Sequence, residues 1–155
     1  MKRWMKFGFG FAAGLVVAVQ FVRPARNVAP TPTSKDDFVV AFSPPPPVRE
    51  VLRQACYDCH SNHTRYPWYT HVQPLGWWLA SHVNDGKEEL NLSEFGSYPR
   101  KLQLRKLNQI SETVNNREMP LPSYTWAHPE ARLTDAQVAA VTEWVDGLYD
   151  ELDTE

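Results

Sequence analysis

The chain has 155 residues, room for one domain of ordinary size plus appendages, and 43% of them are hydrophobic, within the globular range. Its net charge of −2 is unevenly placed: residues 1–35 carry Lys2, Arg3, Lys6, Arg23, Arg26 and Lys35 and no acid, whereas residues 48–155 carry ten basic and sixteen acidic side chains. A basic leader before an acidic body speaks against nucleic-acid binding, which needs a basic face for the phosphates, and fits a membrane-proximal start with a mildly acidic body.

Residues 1–23 begin Met1-Lys2-Arg3-Trp4-Met5-Lys6 and stay apolar from Phe7 to Val22, interrupted only by glycines and Gln20. The pattern is that of a signal anchor or a secretory signal peptide. A clear small-x-small cleavage site is missing, and Trp4 to Val22 is long enough to span a bilayer as a helix. The expectation is therefore an uncleaved membrane helix, with a cleaved signal peptide as the alternative. Residues 24–47 hold seven of the thirteen prolines, Pro24, Pro30, Pro32 and Pro44 to Pro47. They read as a linker, with the last four in an extended polyproline II spacer.

The third unit, residues 48–155, opens with Val48, Val51, Leu52 and Ala55 at i, i+3, i+4 and i+7, the stripe of an amphipathic helix. That helix runs into Cys56-Tyr57-Asp58-Cys59-His60, which contains both cysteines of the chain. C-x-x-C-H is the attachment signature of a c-type haem. Each thiol adds to one porphyrin vinyl group, two intervening residues in a helical turn match the vinyl separation, and the histidine supplies an axial nitrogen. Two other readings compete. A redox C-x-x-C wants a thioredoxin-like βαβ context, whereas the periodicity here is helical. A zinc site wants four ligands, and His63, His71, His82 and His128 lie at no usual zinc spacing.

An aromatic loop follows, with Arg65 and Tyr66-Pro67-Trp68-Tyr69, and then a short helix after Pro74 bearing Leu75, Trp77, Trp78, Leu79, His82 and Val83. Asn84-Asp85-Gly86 reads as its stop, and residues 87–97 as irregular. With six tryptophans in the chain, Trp68, Trp77 and Trp78 are candidate walls of an apolar cofactor pocket, although large rings also fill ordinary helical cores. Arg65 is a candidate partner for a haem propionate, because a guanidinium matches a carboxylate in a bidentate way; an exposed loop arginine is the other reading. A longer helix is predicted from about Pro99 to Asn115, with Leu107, Ile110 and Val114 on its apolar face. Its Arg100, Lys101, Arg105 and Lys106 form a basic patch that is either a solvated face or a dock for an acidic redox partner. Met119-Pro120 and His128-Pro129 fall in the loop beyond. Thr134-Asp135-Ala136-Gln137 is a capping box. It opens a last helix with Val138, Val141, Trp144, Val145 and Leu148 on one side, and its acidic end from Asp150 is expected to fray. No internal repeat and no sheet is predicted.

The order of these features resembles the class I c-type cytochromes. The chain is more closely similar to the bacterial haem-binding domain family of small cytochrome-like proteins, through Cys56 to Asn62, Tyr66 to Tyr69, Trp77-Trp78-Leu79 with His82-Val83, Glu118-Met119-Pro120 and His128-Pro129. The resemblance implies an all-α, cytochrome c-like domain around one covalent haem c, its first helix (Val51, Leu52, Ala55) facing its last. It implies His60 as the proximal ligand. For the distal side Met119 is the first candidate, since class I cytochromes place a methionine in such a loop and a thioether suits haem iron. His128 and His82 are the alternatives, ahead of His63 and His71. The function so implied is single-electron transfer by a membrane-tethered periplasmic cytochrome that meets redox partner proteins. The alternative is a haem sensor or peroxidase-like protein with an open sixth site, served by His82, His128 or Arg65. No acid/base pair or nucleophile constellation stands out, so the chain is read as a non-enzyme.

Overall fold

The computed structural model describes residues 2–29 and 34–154. The linker prolines Pro30 and Pro32 and the final Glu155 lie outside them. Three amphipathic helices make the core: α3 (Pro46–Ala55), α6 (Arg100–Asn115) and α8 (Asp135–Asp153). The α8 helix packs against both of the others. Val51 and Leu52 from α3, Leu107 and Val114 from α6, and Val141 and Val145 from α8 are all buried in one cluster, each burial contributing roughly 1.5–3 kcal/mol. The α8 N-terminus is closed by the capping box: Gln137 N donates to Thr134 Oγ1 at 3.2 Å, and the Gln137 amide accepts from Thr134 N at 2.9 Å. Its acidic end does not unwind where expected. Leu148 and Leu152 lie one turn apart and are both buried, which holds the helix to Asp153 against the unfavourable dipole.

The remaining helices are α1 (Lys2–Val19), α2 (Phe38–Phe42), α4 (Tyr57–His60), α5 (Leu75–Glu89) and α7 (Pro122–Ala127). Short 3₁₀ turns lie at Trp68–His71, Phe95–Ser97 and Pro129–Ala131. An isolated antiparallel bridge joins Val28 to His63. The described residues are thus all-α, as expected.

The N-terminal membrane helix is not. No helix among the described residues is long and apolar enough to cross a membrane. The α1 helix includes Lys2, Arg3 and Lys6 and ends at Val19. Its uncharged part, Phe7 to Val19, rises about 20 Å at ~1.5 Å per residue, against a hydrocarbon core of ~30 Å. Beyond it, Gln20 is tied to the folded domain: its side-chain amide donates to Gln73 O at 3.2 Å and accepts from Gln73 N at 2.8 Å.

The segment expected to be a spacer is built into the domain. Phe38 in α2 is fully buried, its ring 4.7 Å from Phe95 and 5.4 Å from Trp144. Asp37 caps α2, accepting from Val39 N at 3.1 Å, and Tyr57 Oη donates to the same carboxylate at 2.9 Å. Of the four-proline run, Pro46 already begins α3. Asn84-Asp85-Gly86 does not stop α5, which continues to Glu89. The residues expected to be irregular beyond it include Leu92 and Phe95, both fully buried.

Candidate functional site

The C-x-x-C-H run sits where α3 breaks. Cys56 leaves helical backbone at φ −120° but still donates its N–H to Leu52 O at 3.0 Å. His60 N returns to Cys56 O at 3.0 Å, so the two cysteines and the histidine occupy one tight turn. The α5 helix lies directly over that turn at Gly86. A Cβ there would stand 2.9 Å from Cys59 O and 3.2 Å from Cys59 Cβ, closer than real Cβ atoms normally come. The missing side chain lets the Gly86 carbonyl reach His60.

His60 Nδ1 is 2.8 Å from Gly86 O and 3.1 Å from Leu90 O. Two carbonyls can only accept, so Nδ1 carries the proton and Nε2 keeps the lone pair. Burial pushes the His60 pKa down, helped by the charge of Lys106 and opposed by the two carbonyls. The ring is thus a neutral, oriented imidazole, the form and second-shell arrangement that ligate metals. The cysteines are also free of charge. Burial, with some help from Cys59, pushes the Cys56 thiol up to about 12, and burial with the Asp58 charge pushes Cys59 up to about 11. A redox C-x-x-C lowers a thiol pKa to make a reactive thiolate; this site does the opposite. Among the described residues no three His, Cys, Asp or Glu side chains converge as a metal-ligand group.

Cys56, Cys59 and His60 line one cavity of about 590 Å³, in the ~300–1,000 Å³ range of small-molecule and cofactor sites. Its walls include Leu52, Leu90, Leu92, Ile110, Val114 and Leu121. Met119 lines the same cavity from the segment after α6. That segment is set by the end of α6: Arg117 takes a left-handed φ of 60°, and Glu118 N and Met119 N both donate to Thr113 O, at 2.9 and 3.1 Å. His82 is a wall residue too, its Nδ1 2.9 Å from Trp78 O and its ring tilted against Trp78 at 4.2 Å. It stands on α5, the helix that also holds His60.

The other candidates, Trp77 among them, lie outside the lining. Arg65 is committed to Asp58, with Nε to Oδ1 and Nη2 to Oδ2 both at 3.0 Å. The aspartate between the two cysteines takes the guanidinium that was expected for a propionate. Trp68 is 79% exposed, and Trp78 is half-exposed against His82 rather than facing the cavity. His128 has both nitrogens engaged, Nε2 with Tyr69 Oη at 2.8 Å and Nδ1 with Glu130 at 3.2 Å. It stacks on Tyr124 at 4.4 Å. His71 faces Arg26 at the surface, and His63 sits at the bridge to Val28.

Three residues that sequence reasoning missed organise the site. Buried Asp58 holds Arg65 on one side and accepts from Tyr124 Oη at 2.8 Å on the other, tying α7 to the cysteine turn. Nothing in the C-x-x-C-H pattern signals this. Gly86 looked like a helix stop. Lys106 was placed on a basic outer patch, yet its side chain is only 11% exposed and lines the cavity. Its place directly before Leu107 on the apolar face was the available signal.

The donor set fits a haem: two neutral thiols in one turn, an imidazole with a free lone pair, a thioether and a mostly apolar lining. The family comparison agrees. The model of the haem-binding domain family matches residues 14–147, and the chain belongs to that family. Its cofactor is haem. No curated protein and no solved structure was found to match.

Proposed function

We propose that the chain carries a single c-type haem, attached through Cys56 and Cys59 and ligated by His60 and Met119, and that it transfers single electrons. The observation that carries this reading is His60. Its Nδ1 is fixed by Gly86 and Leu90, which leaves Nε2 as the donor atom on the wall that also presents both thiols. The two residues that would hold a haem iron would have to reach it from different walls of the cavity. Met119 enters from beyond α6, whereas His82 shares α5 with the carbonyl that holds His60, so Met119 is the better sixth ligand.

When bound, haem supplies an iron that exchanges one electron between ferric and ferrous states. The protein's part is to hold both axial donors in place, exclude water with the leucine and valine walls, and keep the thiols at one helical turn. The sensor or peroxidase-like reading loses support because Arg65 and His128 are engaged elsewhere. Attachment through two thioethers places the folded domain outside the bacterial cytoplasm, where such chemistry is completed in cytochromes, and redox partner proteins are the implied partners.

The test is a ferric absorption spectrum of the wild type beside Met119→Ala and His82→Ala, with a pyridine haemochrome spectrum of wild type and Cys59→Ala. The methionine–iron charge-transfer band is expected in wild type and His82→Ala and absent from Met119→Ala. A wild type without the band, or one that binds carbon monoxide rapidly when reduced, overturns the assignment. A haemochrome spectrum unchanged by Cys59→Ala overturns covalent attachment through two thioethers.

A further inference from the structure

We infer that Lys106 receives the carboxylate edge of the haem. The inference rests on haem occupying the cavity, not on how its iron is ligated. Haem has an apolar edge and an edge bearing two propionates. Where those carboxylates lie against the protein and out of water they need a cation or strong donors, since an unpaired buried charge is costly. Among the described residues that line the cavity, Lys106 is the one lysine or arginine. The other charged groups on its walls are carboxylates: Asp85 and Glu89 from α5, Glu112 from α6 and Glu118 from the turn beyond. They would repel a propionate placed against them. Arg65, the guanidinium expected for this task, is paired with Asp58.

The surroundings of Lys106 point the same way. Its side chain is 11% exposed, and the ion pair it makes is to Glu89 at 3.5 Å, a carboxylate 78% exposed to solvent. An exposed, long contact compensates a buried ammonium poorly. Gln109, one turn further along α6, lines the same wall and offers a neutral donor beside it.

The test uses the haem-loaded protein with Lys106→Met, whose unbranched side chain fills the same space without the charge. A cation beside the site favours the ferrous form, so its loss is expected to lower the reduction potential by about a tenfold change in the ferrous-to-ferric ratio, ~59 mV. The specific sign of a propionate pair is the pH dependence. Lys106 holds the propionate pKa down, so in Lys106→Met the propionate inflection in potential against pH moves to higher pH. Glu89→Gln, measured alongside, keeps the wild-type inflection if that inflection belongs to the cofactor and not to Glu89. Lys101→Met makes the same charge change on the same helix outside the cavity and is expected to leave both readings near wild type. If Lys106→Met and Lys101→Met shift alike in a chain that haemochrome analysis shows to be loaded, the inference is wrong while haem binding stands. A wild-type chain without haem overturns both.

Discussion

Gly86→Ala tests whether α5 must touch the cysteine turn. The new Cβ would meet Cys59 O at 2.9 Å and Cys59 Cβ at 3.2 Å. Ordinary carbon contacts are about 3.5–4.0 Å, so the helix and the turn must part by roughly half an ångström. Such overpacking costs about 1–3 kcal/mol, while alanine in place of glycine inside a helix returns about 0.8–1.0 kcal/mol. The net expectation is a loss of up to about 2 kcal/mol from those two terms. Gly147→Ala supplies the reference. It lies inside α8, where an added Cβ has nothing within 4 Å, so only the propensity gain remains, about 1 kcal/mol in favour of the fold. The propensity term is shared, and the difference between the two variants isolates the contact. Urea denaturation of both measures it. The parting also lengthens the 2.8 Å bond from His60 Nδ1 to Gly86 O, which the hyperfine-shifted proton spectrum of the ferric protein reads as a change in imidazole orientation. Equal stabilisation by both alanines, with an unchanged His60 signature, would refute the argument that this glycine is a contact point.

Two further outcomes are expected. Asp58→Asn weakens the paired bonds from Arg65 and the 2.8 Å bond from Tyr124. It is expected to cost about 1–3 kcal/mol, as for a buried hydrogen bond to a charged group. A double-mutant cycle with Tyr124→Phe should show coupling of at least ~0.5 kcal/mol; strict additivity would mean that α7 is not held through this carboxylate. Tyr57 gives a pH dependence. Burial first, then the Asp37 carboxylate it donates to, raises its pKa in the folded chain. The folded state therefore holds the phenolic proton more tightly than the unfolded chain, whose tyrosine titrates near ~10. This contribution is complete below that pH and is lost as pH rises further. Denaturation midpoints followed from pH 8 to 11 should fall less steeply in Tyr57→Phe than in wild type, and parallel curves would sink the assignment.

What could be read from the residues was whatever depends on neighbours in sequence. The capping box at Thr134, the α6 limits and the Val48-Val51-Leu52 stripe are local patterns, and each is found in the fold. The cysteines, His60 and Met119 stood out in the sequence because their chemistry is distinctive, and all four line one cavity. Distant contacts were not legible. Asn84-Asp85-Gly86 looked like a stop because the pressure on Gly86 comes from Cys59, 27 positions earlier. Phe38 looked like linker because its partners are Phe95 and Trp144. Arg65 was read toward a propionate because nothing local shows that Asp58, inside the cysteine motif, takes its guanidinium. The apolar leader looked like a span because its window included Gln20 and Val22, which lie beyond the helix end at Val19.

The closure of the core by α8 has a consequence for the order of events in making the protein. That helix follows α3 and α6 in the chain, and it completes the cover over both. Until the chain folds, Val51 and Leu52 lack that cover, and the turn that follows them is not yet packed between α3 and α5. During that interval the thiols of Cys56 and Cys59 stay in water with ordinary thiol acidity, near ~8.5. Burial in the folded chain then raises them to about 12 and about 11. The chain therefore has a period in which its cysteines react readily, and that period ends with folding itself.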